Sequence, residues 1–175
     1  MKNATWDDCV AFHGHSCGGL TIGYKAALYA MELLELKFSD DEEVCCICEN
    51  DACGVDAIQV MLGCSAGKGN LMFHLTGKQA FSFYERSSGK SVRLVLRPRP
   101  EHMTREESFG YYQSRKPAEL FDVKPVKMAL PDGARMFANC VCAECGEEFA
   151  EKYAHLVEGK ILCRDCYKPY TRYDV

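Results

Sequence analysis

The chain reads as an α+β fold with a small C-terminal zinc-ribbon domain. Three observations lead there. Helical and strand periodicities alternate as α-β-α-β-β-β over roughly residues 1–100. The last three strands are short and turn-linked, which implies a mixed, largely antiparallel sheet with helices packed on one face. Near the C-terminus two Cys-x-x-Cys pairs, Cys142/Cys145 and Cys163/Cys166, stand seventeen residues apart.

A chain of 175 residues is long enough for one core and a small appendage. Hydrophobic residues make up 47% and charged residues 26%, a globular balance. A net charge of −4 excludes a general polyanion binder. The opening Met1-Lys2-Asn3-Ala4 is not a basic-then-apolar signal peptide, and no apolar run is long enough for a bilayer. The expected compartment is therefore the reducing cytoplasm, with no membrane partner. There, twelve cysteines point to metal or reactive thiols rather than disulfides.

Trp6 to Phe12 reads as a short lead-in helix capped by Asp7 and Asp8. Ser16 is the expected N-cap of a second helix, with Cys17 as its first residue. A thiol there meets unpaired backbone N–H groups and the positive end of the helix dipole, a setting that favours thiolate. From Cys17 to about Lys37, the residues Leu20, Tyr24, Ala27, Leu28, Met31 and Leu34 recur at helical spacing. Gly23 interrupts them and predicts close packing against another helix, including one from a second copy of the chain. Ser39 to Glu43 is an acidic, solvated loop.

Val44 to Asn50 reads as a buried strand, with Cys45, Cys46 and Cys48 as core filling. A helix then starts near Cys53-Gly54, where Cys53 and Asp56 share a face. Gly63 to Asn70 is a loop. Gly69 replaces the hydroxyl that a phosphate-binding loop needs, and the order is helix-to-strand, so that function is excluded. Strands follow at Leu71–Thr76, Gln79–Arg86 and Ser91–Arg97, and Pro98 and Pro100 end the unit. Thr104 and Glu107 form a capping box for a helix to Arg115. A short helix from Lys116 to Val123 and a strand over Val126–Leu130 complete a stretch with little core of its own. The expected organisation is thus an α+β core over 1–100, a helical connector or dimerisation arm over 101–137 and a zinc ribbon over 138–175.

In the ribbon, Cys142, Cys145, Cys163 and Cys166 form two knuckles that supply four thiolates to one structural zinc ion. The hairpin between them turns near Glu158-Gly159-Lys160, Cys140 is spare, and His155 reads as a surface residue. From Cys140 onward, seven acidic residues including Asp174 face five basic ones, so the ribbon suits a protein partner better than nucleic acid. Tyr167, Tyr170 and Tyr173 are candidate interface anchors.

Outside the ribbon remain His13, His15, Cys17, Cys53 and Cys64 near helix starts and loops. If the two helices lie side by side, Cys17 and Cys53 point into one crevice that His13 and His15 can reach. Such a donor set suits zinc or another borderline-soft transition metal, and Asp56 can orient a ligating imidazole.

Three motifs resemble the FmdE family, that of the E component of formylmethanofuran dehydrogenase. They are Phe12-His13-Gly14-His15-Ser16-Cys17-Gly18-Gly19-Leu20 through Ala27, Asp51 to Gln59, and Gly63-Cys64-Ser65 with Gly67 to Leu71 and Gly77-Lys78. The resemblance runs in order over roughly residues 6–100. It implies a core akin to the sheet domain of glyceraldehyde-3-phosphate dehydrogenase, intertwined homodimers and, as in some members, a C-terminal zinc ribbon. The family name comes from a molybdenum or tungsten enzyme of one-carbon metabolism, but nothing in this chain looks like its molybdopterin or iron–sulfur components.

Three functions follow, in order of preference. The first is a metal-binding accessory or regulatory protein with a core site of His13, His15, Cys17 and Cys53 and a ribbon that docks a partner. The second is a metal- or thiol-dependent enzyme using Cys17 as nucleophile, His13 or His15 as acid/base and Asp56 as orienting group. The third is a metal-responsive transcriptional regulator, for which only Arg97, Arg99, Arg105 and Arg115 offer a basic surface.

Overall fold

A computed structural model describes residues 4–172. Tyr173 and Asp174, counted above as anchor and charge, lie outside them. The chain divides into two compact units, one ending at Ala134 and one beginning at Arg135.

The first unit is a five-stranded mixed sheet, β1 (Val44–Cys48), β2 (Leu71–Phe73), β3 (Ala80–Glu85), β4 (Ser91–Leu96) and β5 (Phe121–Lys124), in the order β2-β1-β3-β4-β5. The β3–β4 hairpin is antiparallel, as expected. The strand β2 instead runs parallel to β1, with Cys46 opposite Leu71, and does not pair with β3. The crossover helix α3 (Gly54–Leu62) brings the chain back for that pairing.

Helices α1 (Trp6–His13), α2 (Gly18–Leu34) and α3 cover one face of the sheet. Thr5, not Asp7 or Asp8, is the N-cap of α1, and Asp8 closes the capping box. The buried residues of α2 are Leu20, Thr21, Ile22, Gly23, Ala26, Ala27, Ala30 and Leu34, which keep only Leu20, Ala27 and Leu34 of the expected stripe. Tyr24, Leu28 and Met31 pack only at the core margin. Small residues win the centre because α2 lies against both α3 and α4 (Arg105–Ser114). The tightest approach is at Gly23, where an added Cβ would fall inside the Gly54 carbonyl. The close packing predicted for Gly23 is therefore met by α3 of the same chain.

The stretch read as a connector joins this unit. The chain from Pro117 makes one helical turn, α5 (Pro117–Leu120), then the edge strand β5 rather than a strand at Val126–Leu130. Val126 and Met128 instead cover Cys45, Ile47 and Tyr84 on the far face of the sheet. Tyr84 Oη donates to the Met128 carbonyl at 2.9 Å, and Arg86 Nη1 to the Pro131 carbonyl at 2.7 Å. Apolar cover and these donors hold the stretch without a ladder. On the same far face, Arg93 and Glu49 form a buried two-pronged pair.

The second unit holds two hairpins, β6 (Asn139–Val141) with β7 (Glu148–Ala150) and β8 (His155–Val157) with β9 (Lys160–Leu162). The second turns at Glu158 and Gly159, both at positive φ, the two-residue turn that suits strand twist.

Gly23→Ala should lose at least about 2 kcal/mol of stability through overpacking against backbone that cannot rotate away. Gly110→Ala, in the open middle of α4 with nothing near the added methyl, should gain about 0.5–1 kcal/mol. Urea unfolding followed by circular dichroism at fixed metal content compares the two, and equal effects would contradict the close approach.

Candidate metal centres

The core donors are assembled by two helix starts and one helix end. Helix α1 stops at Gly14, whose φ of 90° is left-handed and open to glycine at little cost. That reversal places the His13 and His15 rings side by side, centroids 4.5 Å apart. Cys17, not Ser16, is the N-cap of α2, and its Sγ accepts the Leu20 N–H at 3.3 Å. The thiol has taken the capping role usually filled by a hydroxyl.

His13 Nδ1 lies 2.7 Å from Asp56 Oδ2. A carboxylate oxygen only accepts, so Nδ1 carries a hydrogen, and in the neutral imidazole this leaves the lone pair on Nε2. That Nε2 is 3.9 Å from Cys17 Sγ. Gln59 Nε2 holds the other oxygen of Asp56 at 3.1 Å. His13, His15 and Cys17 offer donor atoms all within 4.8 Å of one another.

Cys53 is the N-cap of α3, and its side chain makes no capping bond. An added Cβ at Gly19 would touch Cys53 Sγ at 3.5 Å and Cys17 Sγ at 3.9 Å, so the two sulfurs flank one glycine. Burial, and then the neighbouring Cys17 thiol, pushes the Cys53 thiol above its ordinary value. Cys53 thus stands beside the three-donor set, while Asp56 acts on it through His13. Cys64 does not join. It is fully buried, donates to the Val44 carbonyl at 3.5 Å, and burial pushes its pKa up to about 12. Cys46 and Cys48 sit in the core with their sulfurs 3.8 Å apart.

Tetrahedral zinc with Zn–N about 2.05 Å and Zn–S about 2.3 Å has N···S edges of about 3.6 Å and S···S edges of about 3.8 Å. The 3.9 Å spacing of His13 and Cys17 is close to such an edge, and the Asp56–His13 contact is the outer partner that ligating imidazoles use. The residues fit a transition metal with an open position.

The ribbon fits zinc more completely. Cys142, Cys145, Cys163 and Cys166 converge within 4.8 Å, with Cys145 and Cys163 sulfurs 3.9 Å apart. Gly146 at φ 75° closes the first knuckle, its N–H donating to the Cys142 carbonyl at 3.0 Å, and Tyr167 N–H closes the second on Cys163 at 2.9 Å. Backbone N–H groups of Cys163 and Cys145 lower the Cys142 pKa to about 6. Four sulfurs leave no open position, which is a structural site. Cys140 lies in β6 outside this set, and His155 stacks on Tyr167 with centroids 3.9 Å apart.

Sequence reading missed one side of the core site. Arg99, Met103, Thr104, Arg105, Ser108 and Tyr112 share a cavity with His15, Cys17 and Cys53. All but Arg99 come from the expected connector, whose capping box was visible but whose docking on α2 was not. Among the described residues, no helix is long and apolar enough to cross a membrane.

Comparison with known proteins agrees with this anatomy. The profile of a prokaryotic DksA/TraR C4-type zinc finger matches residues 135–172. A probable S-adenosyl-L-methionine-binding protein of Archaeoglobus fulgidus is 27% identical, over 78% of this chain and 46% of its own length. The chain thus spans about half of that relative. The crystal structure of an FmdE-like protein of the tungsten formylmethanofuran dehydrogenase type, from Syntrophus aciditrophicus, superposes with a TM-score of 0.67 at 23% identity, covering 95% of this chain and 96% of that one. The profile described as FmdE, molybdenum formylmethanofuran dehydrogenase operon, matches residues 12–128, well over half of the sequence, and the chain belongs to that family.

Proposed function

We propose that the protein is a metal-binding accessory or regulatory protein of the cytoplasm, working as a homodimer. Its core ion is held by His13, His15 and Cys17, with Cys53 adjoining, and its zinc ribbon docks a protein partner. The observation that carries this reading is the Asp56–His13–Cys17 chain, in which a carboxylate fixes the imidazole so that Nε2 faces the thiol. A structural role alone gives no reason for two imidazoles and a thiol to converge beside a cavity. When bound, the ion supplies a Lewis-acidic position to whatever enters. The acidic balance of the ribbon supports a protein partner over nucleic acid.

The cavity in front of the donors also favours a second reading, a metal-dependent enzyme. There Cys17 and His15 would face the substrate and Asp56 would hold His13.

Full-length protein purified under metal-replete conditions should carry two ions per chain by mass spectrometry. Cys17→Ser should retain only the ribbon ion, and Cys163→Ser only the core ion. One ion in the unaltered protein would sink the core site. Asp56→Ala should weaken the core ion about 10–100-fold, read by competition with a chromophoric chelator, and leave the ribbon ion in place.

A further inference from the structure

The cavity beside the core donors, of about 490 Å³, carries a charge pattern that the metal alone does not explain. Among the described residues no carboxylate lines it, whereas exposed Arg99 and Arg105 both do. Among the same residues, neither guanidinium has a carboxylate within ion-pairing distance. The nearby Glu107 carboxylate is engaged with its own helix, accepting the Thr104 N–H at 2.8 Å. A divalent ion held by two neutral imidazoles and one thiolate also keeps a net positive charge. Two guanidiniums without a carboxylate partner give the cavity a positive potential that attracts an anion.

The remaining lining narrows the anion. Ile22, Met103 and Tyr112 give the cavity apolar walls, and Thr104 and Ser108 add hydroxyls. The volume falls in the ~300–1,000 Å³ range of small-molecule sites and exceeds what a bare tetrahedral oxyanion fills. A guanidinium fork matches a carboxylate edge-on through two parallel hydrogen bonds. We propose that this cavity binds a small organic carboxylate, its anionic end held by Arg99 and Arg105 and its body against Ile22, Met103 and Tyr112. The proposal rests on the core-site reading for what the ligand faces, and on the arginines alone for what retains it.

The test is calorimetric titration of the full chain, with metal content measured on the same sample, using benzoate, its neutral counterpart benzamide, and sulfate. Benzoate should bind at least about tenfold more tightly than benzamide and sulfate. The double variant R99Q/R105Q should lose that preference with its metal content unchanged. Both arginines are exposed, so the variant should fold. No benzoate binding, equal binding of benzamide, or an unaffected double variant would overturn the proposal. Sulfate binding as tightly as benzoate and competing with it would make this an inorganic oxyanion site and overturn the organic class. Arginine-dependent benzoate binding in protein that holds only the ribbon ion would support the pocket and refute the core ion. Two ions without benzoate discrimination would do the reverse.

Discussion

The core site depends on one backbone contact, the crossing of α2 and α3 at Gly23 and Gly54. A Cβ at Gly54 would stand 3.0 Å from the Gly19 carbonyl and 3.1 Å from the Gly23 nitrogen. Each helical glycine costs about 0.5–1 kcal/mol against alanine, so the cost must be met by packing that side chains would prevent. What the close approach achieves is positional. Both helices start at a cysteine, Cys17 for α2 and Cys53 for α3. Laying the two starts against each other therefore brings both sulfurs within 4 Å of where a Cβ of Gly19 would stand. The same crossing sets Asp56, in the first turn of α3, against His13 at the end of α1.

A second set of polar ties supplies the other side of the site. Lys25 on α2 donates to the Gln113 and Arg115 carbonyls at 3.0 and 2.8 Å, satisfying the end of α4. Gln113 Nε2 reaches back to Thr21 Oγ1 at 2.9 Å. Helix α4 has little apolar surface of its own, with Tyr112 its one buried residue among those described. Charge-assisted bonds to carbonyl ends thus do what a hydrophobic stripe does elsewhere. Through them, Arg105, Ser108 and Tyr112 come to face Cys17.

Local signals were legible in the sequence, and tertiary ones were not. Cys-x-x-Cys spacing specifies a knuckle whatever surrounds it, and the Thr104–Glu107 box specifies a helix start within four residues. The glycines beside Cys17 and Cys53 marked two helix starts, but whether those starts meet is a tertiary matter that neither stretch contains. By contrast, the pairing of β2 with β1 depends on where α3 returns the chain, which no window of β2 contains. The segment at Val126–Leu130 alternates like a strand yet covers a sheet face, because Tyr84 and Arg86 offer donors there and Val126 and Met128 pack on that face. Cys17 displaced Ser16 as N-cap because propensity ranks hydroxyls first, while the turn at Gly14 decides which side chain reaches the Leu20 N–H.

The two donor sets differ in how they are coupled to folding. The ribbon draws its four sulfurs from two knuckles within one short unit that has only two exposed hairpins and few buried residues among those described. Such a unit has too little core to close without its ion, so binding and folding there are one event. The core donors stand at helix ends beside a hydrophobic core in which Phe81, Phe83, Leu20 and Ile58 are fully buried. An ion bound there by the folded form adds stability only in proportion to the logarithm of its excess over the dissociation constant. Such an ion would be able to leave without unfolding its site. On the proposed reading, the ribbon ion would be permanent and the core ion exchangeable. An exchangeable ion beside an open cavity is what a protein that senses, carries or presents a metal needs.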